Sequence, residues 1–237
     1  LDHDPDFEWR GSQVTRIENL SDIVFALAFS MVVTASDVQF TFAGIKAYLT
    51  SLVPISAAFI YMLVIWNRHF LFFRRYGLAD SRIIWLNALL LLTILSIAYP
   101  MRFIFDSLYA WILLQFGQQE MMFRLGIDSY RDAGEVVAYF GVIYAVLSFI
   151  QILMYARARS KADLLSLNDL ERAHTRGAIW IAFGNLLTGA ITAVVAYFTL
   201  IGPFAGLVFN MSWMIDWFVE KTVIAPVRRT KQSVVEV

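Results

Sequence analysis

Long apolar runs alternate with short polar patches along the chain, and six of the runs are long enough to cross a bilayer as helices. A hydrocarbon core of ~30 Å needs about 20 mostly apolar helical residues. The runs extend from about Asn19 to Val38, Tyr48 to Phe73, Ile83 to Phe105, Glu135 to Ala156, Gly177 to Leu200 and Pro203 to Val219. None shows the ~10-residue alternation of a membrane barrel strand. Helices, which satisfy their backbone groups within each segment, are therefore predicted. Pro54 and Pro100 are placed toward helix ends, and Ile201-Gly202-Pro203 reads as a tight turn joining the last two spans. The segment from Asp106 to Ala133 mixes Trp111, Ile112 and Leu113 with Gln118, Glu120 and Arg124, and reads as an external loop with a short interfacial helix.

Composition agrees with lipid as the main solvent. The 237 residues are 59% hydrophobic and 16% charged, whereas a soluble domain carries about a quarter charged residues. Six spans in so short a chain leave room for one domain, residues 1–237, and none for a soluble catalytic unit. The nineteen Lys and Arg are unevenly placed. Lys46, Arg102, Arg124 and Arg131 fall on one side of the membrane and the remaining fifteen on the other. Cytoplasmic loops carry the excess of basic residues, so both termini are predicted to be cytoplasmic. Without cysteine there is no disulfide, thiolate metal site or cysteine nucleophile, and a net charge of zero gives no sign of a nucleic-acid partner.

The first span carries the candidate chemistry. It opens with Arg16-Ile17-Glu18-Asn19-Leu20-Ser21-Asp22, and from Ile23 to Ala35 its only polar side chains are hydroxyls. Asn19, Ile23, Leu27, Ser30, Thr34 and Asp37 follow one another at spacings of three and four, so they share one face of a helix. Phe25 and Phe29 point elsewhere. Small hydroxyl residues on one stripe serve either close helix contact or an aqueous path. On the second reading, several copies surround an axis. Leu27 then forms a hydrophobic ring that gates by dewetting, Ser30 and Thr34 offer oxygens to a passing cation, and Asp37 concentrates cations at the outer mouth. At the inner end, Arg16 and Asp22 need partners on another helix, and Trp66-Asn67-Arg68-His69 supplies candidates. A polar clamp between helix ends is the favoured reading there, with a titrating Asp–His pair as the other.

These pieces resemble the transmembrane protein 175 family. The run from Arg16 to Asp22 is similar to the Arg-x-x-x-Phe-Ser-Asp signature opening that family's first helix, with Leu20 where Phe is usual. Trp66-Asn67-Arg68-His69 resembles the Trp-x-x-His stretch closing its second helix. The resemblance implies a cation channel that favours potassium, has no carbonyl-lined filter loop and needs no cofactor beyond permeant K+. It implies the single-repeat prokaryotic form, a homotetramer in the plasma membrane with four first helices around the pore. Carried over position by position, Leu27, Ser30, Met31 and Thr34 line or gate the pore, with Leu27 at the constriction and K+ passing near Ser30 and Thr34, and Ile23 of the stripe joins them. Arg16, Ser21, Asp22, Trp66 and His69 would hold the inner helix ends together.

Two other classes fit the sequence less well. A secondary transporter, coupled to a proton or sodium gradient, commonly uses broken helices and midplane titratable groups, and the central spans hold almost no charge. An intramembrane enzyme would need a motif that is not present: there is no Gly-x-Ser-x-Gly or His-Glu-x-x-His run, and His3, His69 and His174 keep no metal-ligand spacing. Asp216, within Trp213-Met214-Ile215-Asp216-Trp217, reads as part of an interfacial anchor. Gln151 and Asn185 are expected to make interhelical hydrogen bonds.

Overall fold

Capping residues at the ends of the apolar runs set five long helices. The computed structural model describes residues 6–11, 13–34, 41–118, 121, 125–126, 129–199 and 202–235. Helix α1 spans Arg16–Thr34, α2 Phe42–Tyr76, α3 Ser81–Gln115, α4 Tyr130–Ser160 and α5 Asp169–Phe198. All five are long and apolar enough to cross a membrane, and no strand occurs among the described residues. Thr41, Asp80, Ser129 and Asn168 accept hydrogen bonds from the first turns of α2 to α5. Thr15 and Glu18 do the same reciprocally for α1, through Thr15 N–H to Glu18 Oε1 (2.9 Å) and Glu18 N–H to Thr15 Oγ1 (3.3 Å).

The helices outrun the apolar runs. α2 and α3 have 35 residues each, about 52 Å of helix against a ~30 Å core. The expected external loop from Asp106 to Ala133 is corrected accordingly. Its first part, through Gln115, continues α3, and its last part opens α4. Asp106 stays helical because Arg102 reaches it across one turn at 2.8 Å, and Ser107 returns its hydroxyl to the Phe103 carbonyl at 2.7 Å. Pro54 and Pro100 therefore lie inside α2 and α3, not toward their ends.

The sixth expected span takes another form. Residues Gly202–Met211 are a 3-10 helix, Ser212–Val219 are α-helical (α6), Glu220–Ile224 widen into a π turn, and Ala225–Val235 form α7. Gly202, Pro203 and Gly206 are poor α-helix formers, which accounts for the tighter start. Gly202 and Pro203 belong to this helix rather than to a turn, and Leu200 and Ile201 lie outside the described residues. At 2.0 Å per 3-10 residue and 1.5 Å per α residue, residues 202–219 reach about 32 Å.

α4 and α5 form the most extensive pair, and α1 rests on α2 and α3. The α4–α5 pair is close because two glycines face each other. A Cβ on Gly141 would meet the Gly189 carbonyl oxygen at 2.8 Å, and one on Gly189 would meet the Gly141 carbonyl oxygen at 2.7 Å. Neither backbone can yield locally. Gly189→Leu should cost about 3 kcal/mol or more, read as a lowered unfolding midpoint and a poorer yield of folded protein in detergent. A survivor with a wild-type midpoint would show that the two helices sit further apart.

At one end of the bundle the segment before α1 is tied down on three sides. The fully buried Glu171 carboxylate takes both terminal nitrogens of Arg10 at 2.9 Å, the Glu8 N–H at 2.8 Å and the Asn168 N–H at 2.9 Å. Arg10 and Gly11 N–H donate to the Arg74 carbonyl at the end of α2, beside Gly77, whose left-handed φ of 58° closes that helix. Asp6 pairs with Arg228 of α7 at 2.6 Å, so the first and last described segments share this end. The turn at Asp80 is held by Arg157, the last turn of α4, at 2.6 Å. Burial pushes the Asp80 carboxyl up, but the Arg157 guanidinium, the Ile83 N–H and the charge of Lys161 outweigh it and hold it below its ordinary 3.8. A carboxyl lowered on folding stabilises above its unfolded pKa, and that contribution fades as pH falls from about 3.8 through the folded value. Acid-induced loss of stability in that window should shrink in Asp80→Asn, as followed by thermal melts against pH.

Candidate functional site

α1 has two unlike faces. Glu18, Ser21, Phe25, Ala28 and Val32 are buried against the rest of the chain. Opposite them, Asn19, Ile23, Leu27, Ser30 and Thr34 are exposed, Ile23 at 67% and Leu27 at 53%. The expected stripe is thus one continuous face turned away from the chain's own core. Met31 sits half-buried at its margin, against the core, and Asp37 lies outside the described residues. Phe25 packs on the His69 ring at 5.3 Å and Phe29 on Phe59 at 4.6 Å, both away from the stripe. The Thr34 hydroxyl donates to the Ser30 carbonyl at 2.8 Å. With its proton used inside the helix, Thr34 Oγ1 presents lone pairs outward, the polarity suited to a cation.

The N-terminal end of this helix is fastened through a chain of hydrogen bonds whose direction is fixed. Ser21 Oγ donates to the Ile17 carbonyl (2.8 Å), so its oxygen is free to accept from Asn87 Nδ2 (3.0 Å). The Asn87 amide oxygen is then an acceptor, and His69 Nε2, 2.8 Å away, carries the proton that it receives. Ser21, Asn87 and His69 are all buried, and Phe25 and Phe73 enclose the imidazole at 5.3 and 4.9 Å. Nearer the surface, Trp66 Nε1 donates to Asp22 Oδ1 at 3.0 Å, and the indole stacks on Phe70. The structure therefore brings together Ser21, Asp22, Trp66 and His69, and adds Asn87 of α3 as the link. Arg16 is exposed at the start of α1 and makes no hydrogen bond or ion pair among the described residues. Asp22 bonds Trp66, not His69.

The other end of α1 is held by Arg102, which the charge count treats as an ordinary external cation. It is 3% exposed and donates from Nη1 to the Val32 carbonyl at 3.0 Å while Asp106 holds its Nε. A guanidinium on one of the last carbonyls of a helix satisfies an orphan acceptor and complements the helix dipole. An arginine inside an apolar run with an aspartate four residues on was the readable signal. Asp216, within the expected interfacial anchor, pairs with Arg68 of α2 at 2.9 Å. No group of three or more potential metal ligands occurs among the described residues.

A chain of long apolar helices, one of which turns a hydroxyl-bearing stripe outward, defines a multi-pass integral membrane protein. A family profile described as "Endosomal/lysosomal potassium channel TMEM175" matches residues 16–97, which hold α1, α2 and the first half of α3. A protein of Marivirga tractuosa named "Potassium channel" is 34% identical over 203 residues, covering 84% of this chain and 80% of that relative. The chain belongs to the TMEM175 family. A crystal structure of a variant of the potassium channel MtTMEM175, in complex with a nanobody–MBP fusion protein, has a TM-score of 0.73 and 28% identity, covering 98% of this chain and all of that one. The family's relatives are potassium channels, so this chain is not an enzyme and works without a cofactor.

Proposed function

We propose that the chain is a potassium-favouring cation channel, a homotetramer with four α1 helices around the conduction path. The carrying observation is the exposed stripe of α1: Ile23, Leu27, Ser30 and Thr34 face away from the core of their own chain, while both ends of the helix are fastened to that core. One stripe cannot enclose a path, so several copies are needed. In this reading Leu27 is the constriction, with Ile23 below it and Met31 at its edge. Ser30 and Thr34 coordinate a partly hydrated cation, and Asp37 stands at the outer mouth. The Ser21–Asn87–His69 chain, with Asp22–Trp66, is the clamp that sets the angle of α1. The pairing of Asp6 with Arg228 supports an even number of crossings, hence six, with residues 202–219 as the last. Both chain ends then face the cytoplasm of a prokaryotic cell. The whole of residues 1–237 acts as one channel domain.

The test is the reversal potential in proteoliposomes or a planar bilayer under opposed potassium and sodium gradients. Non-saturating current reversing toward the potassium potential is expected. Flux that saturates and follows a proton or sodium gradient would make the protein a carrier. Ser30→Ala should reduce the potassium-over-sodium permeability ratio severalfold, because few and flexible hydroxyls provide the discrimination. An unchanged ratio would move selectivity away from Ser30.

A further inference from the structure

Behind the clamp, α2, α4, α5 and α6 enclose a cavity of about 210 Å³. Most of its wall is apolar, from residues such as Val64, Leu147 and Trp213. Asn185, expected to bond to a neighbouring helix, instead lines this space. The residue is 1% exposed and its Oδ1 has no hydrogen-bond partner among the described residues. Asp216, which also lines the cavity, uses Oδ2 for Arg68, while its Oδ1 is buried without a partner among the described residues. A buried unpaired acceptor is costly, and two such residues in one wall ask for a molecule that donates.

The chemistry narrows the donor. Asn185 offers an acceptor, Oδ1, and a donor, Nδ2, neither hydrogen-bonded among the described residues, and Asp216 Oδ1 adds a second acceptor, so a carboxylate or phosphate, which cannot donate, would leave both acceptors unmet. The Arg68 guanidinium stands in the same wall, so an ammonium would bring a second positive charge into a space whose one ion pair is already balanced. A neutral hydroxyl avoids both. As to size, an aliphatic cavity of about 150 Å³ accepts benzene, so this one accommodates a single ring or short alkyl body with a head group. Val64 and Trp213 are also exposed on the outside of the chain, which opens the cavity laterally. We propose that the cavity bounded by Arg68, Asn185 and Asp216 binds a neutral hydroxyl-bearing amphiphile of phenol or alkanol size, its hydroxyl donating to Asn185 Oδ1 or Asp216 Oδ1 and its apolar body against Leu147 and Trp213. The site does not depend on the channel reading.

Trp213 supplies the readout. Bound 4-bromophenol should quench it, so titration of the full-length protein in detergent micelles should show a saturable quenching component above the linear background. That component should vanish in Trp213→Phe and weaken at least tenfold in Asn185→Leu, which removes the acceptor and fills space. Val64→Phe narrows the cavity without touching a polar atom and should weaken binding likewise, which keeps the test open if Asn185→Leu misfolds. Bromobenzene, with the ring but no hydroxyl, should give only the linear component. Displacement of the phenol by a monoacylglycerol would identify the hydroxyl of a membrane lipid as the natural occupant, and its failure a free small hydroxyl compound. Purely linear quenching in the wild type, indicating a cavity that holds water only, would overturn the site. So would equal saturation by bromobenzene, or quenching unchanged in both cavity variants.

Discussion

Replacing Leu27 with Ala is expected to raise single-channel potassium conductance about tenfold, equivalent to a barrier lowered by about 1.4 kcal/mol. In the proposed tetramer the substitution acts four times, around one ring. Leucine side chains meeting at an axis exclude water, and a cation crossing that ring gives up hydration without oxygens to replace it. Alanine shortens each side chain, widens the ring and lets water remain with the ion. Stability should change little, because Leu27 is 53% exposed and leaves no cavity in its own chain. Phe25, two residues earlier and 1% exposed, gives the contrast. Phe25→Ala should cost about 3–5 kcal/mol, read as a lowered melting midpoint, because that face of α1 packs on the core. Leu27→Ile, similar in volume, should conduct nearly as the wild type does. Unchanged current in Leu27→Ala would take Leu27 out of the path and return the stripe to helix packing.

The contrast between Leu27 and Phe25 also shows what a sequence can carry. The spacing of Asn19, Ile23, Leu27, Ser30 and Thr34 reveals a face, because α-helical periodicity alone places them together. Lipid makes five of the spans legible, since a continuous apolar run has few alternatives to a helix. The helix ends were harder. Hydropathy ends a span where charge begins, yet Arg74 and Arg75 in α2 and Arg157 and Arg159 in α4 sit in last turns, where cations favour the helix dipole. The sixth expected span was less legible for a local reason: Gly202, Pro203 and Gly206 change the helix type, and periodicity has no rule for such a change. Of the clamp, Ser21, Asp22, Trp66 and His69 stood out through the family signature. Asn87 did not, although a lone amide within Ile83 to Phe105 is a general sign of an interhelical bond. Arg102 was counted by side rather than by burial, and burial is a tertiary fact.

Asn87→Leu tests the clamp as a unit, and it should both destabilise the protein and alter gating. The new side chain is close in size but has no polar atoms, so packing is roughly kept while two hydrogen bonds go. His69 Nε2–H then loses its acceptor between Phe25 and Phe73, and Ser21 loses its donor while still bonded to Ile17. An unmet buried donor costs about 1–3 kcal/mol, expected as a lower melting midpoint. Because Ser21 belongs to α1 and His69 to α2, the loss frees the N-terminal end of α1, and in the proposed channel open probability should shift severalfold. His69→Phe with Asn87→Leu removes both partners together. Paired apolar replacement of a hydrogen bond can be nearly neutral, so the double variant should recover much of the lost stability and give a coupling of about 1–2 kcal/mol in a double-mutant cycle. It should not recover gating, since an apolar contact holds distance less sharply than a directional chain of bonds. Strictly additive melting costs would instead make His69 and Asn87 independent packing residues, leaving Trp66–Asp22 as the polar tie between α2 and the N-terminal end of α1 among the described residues.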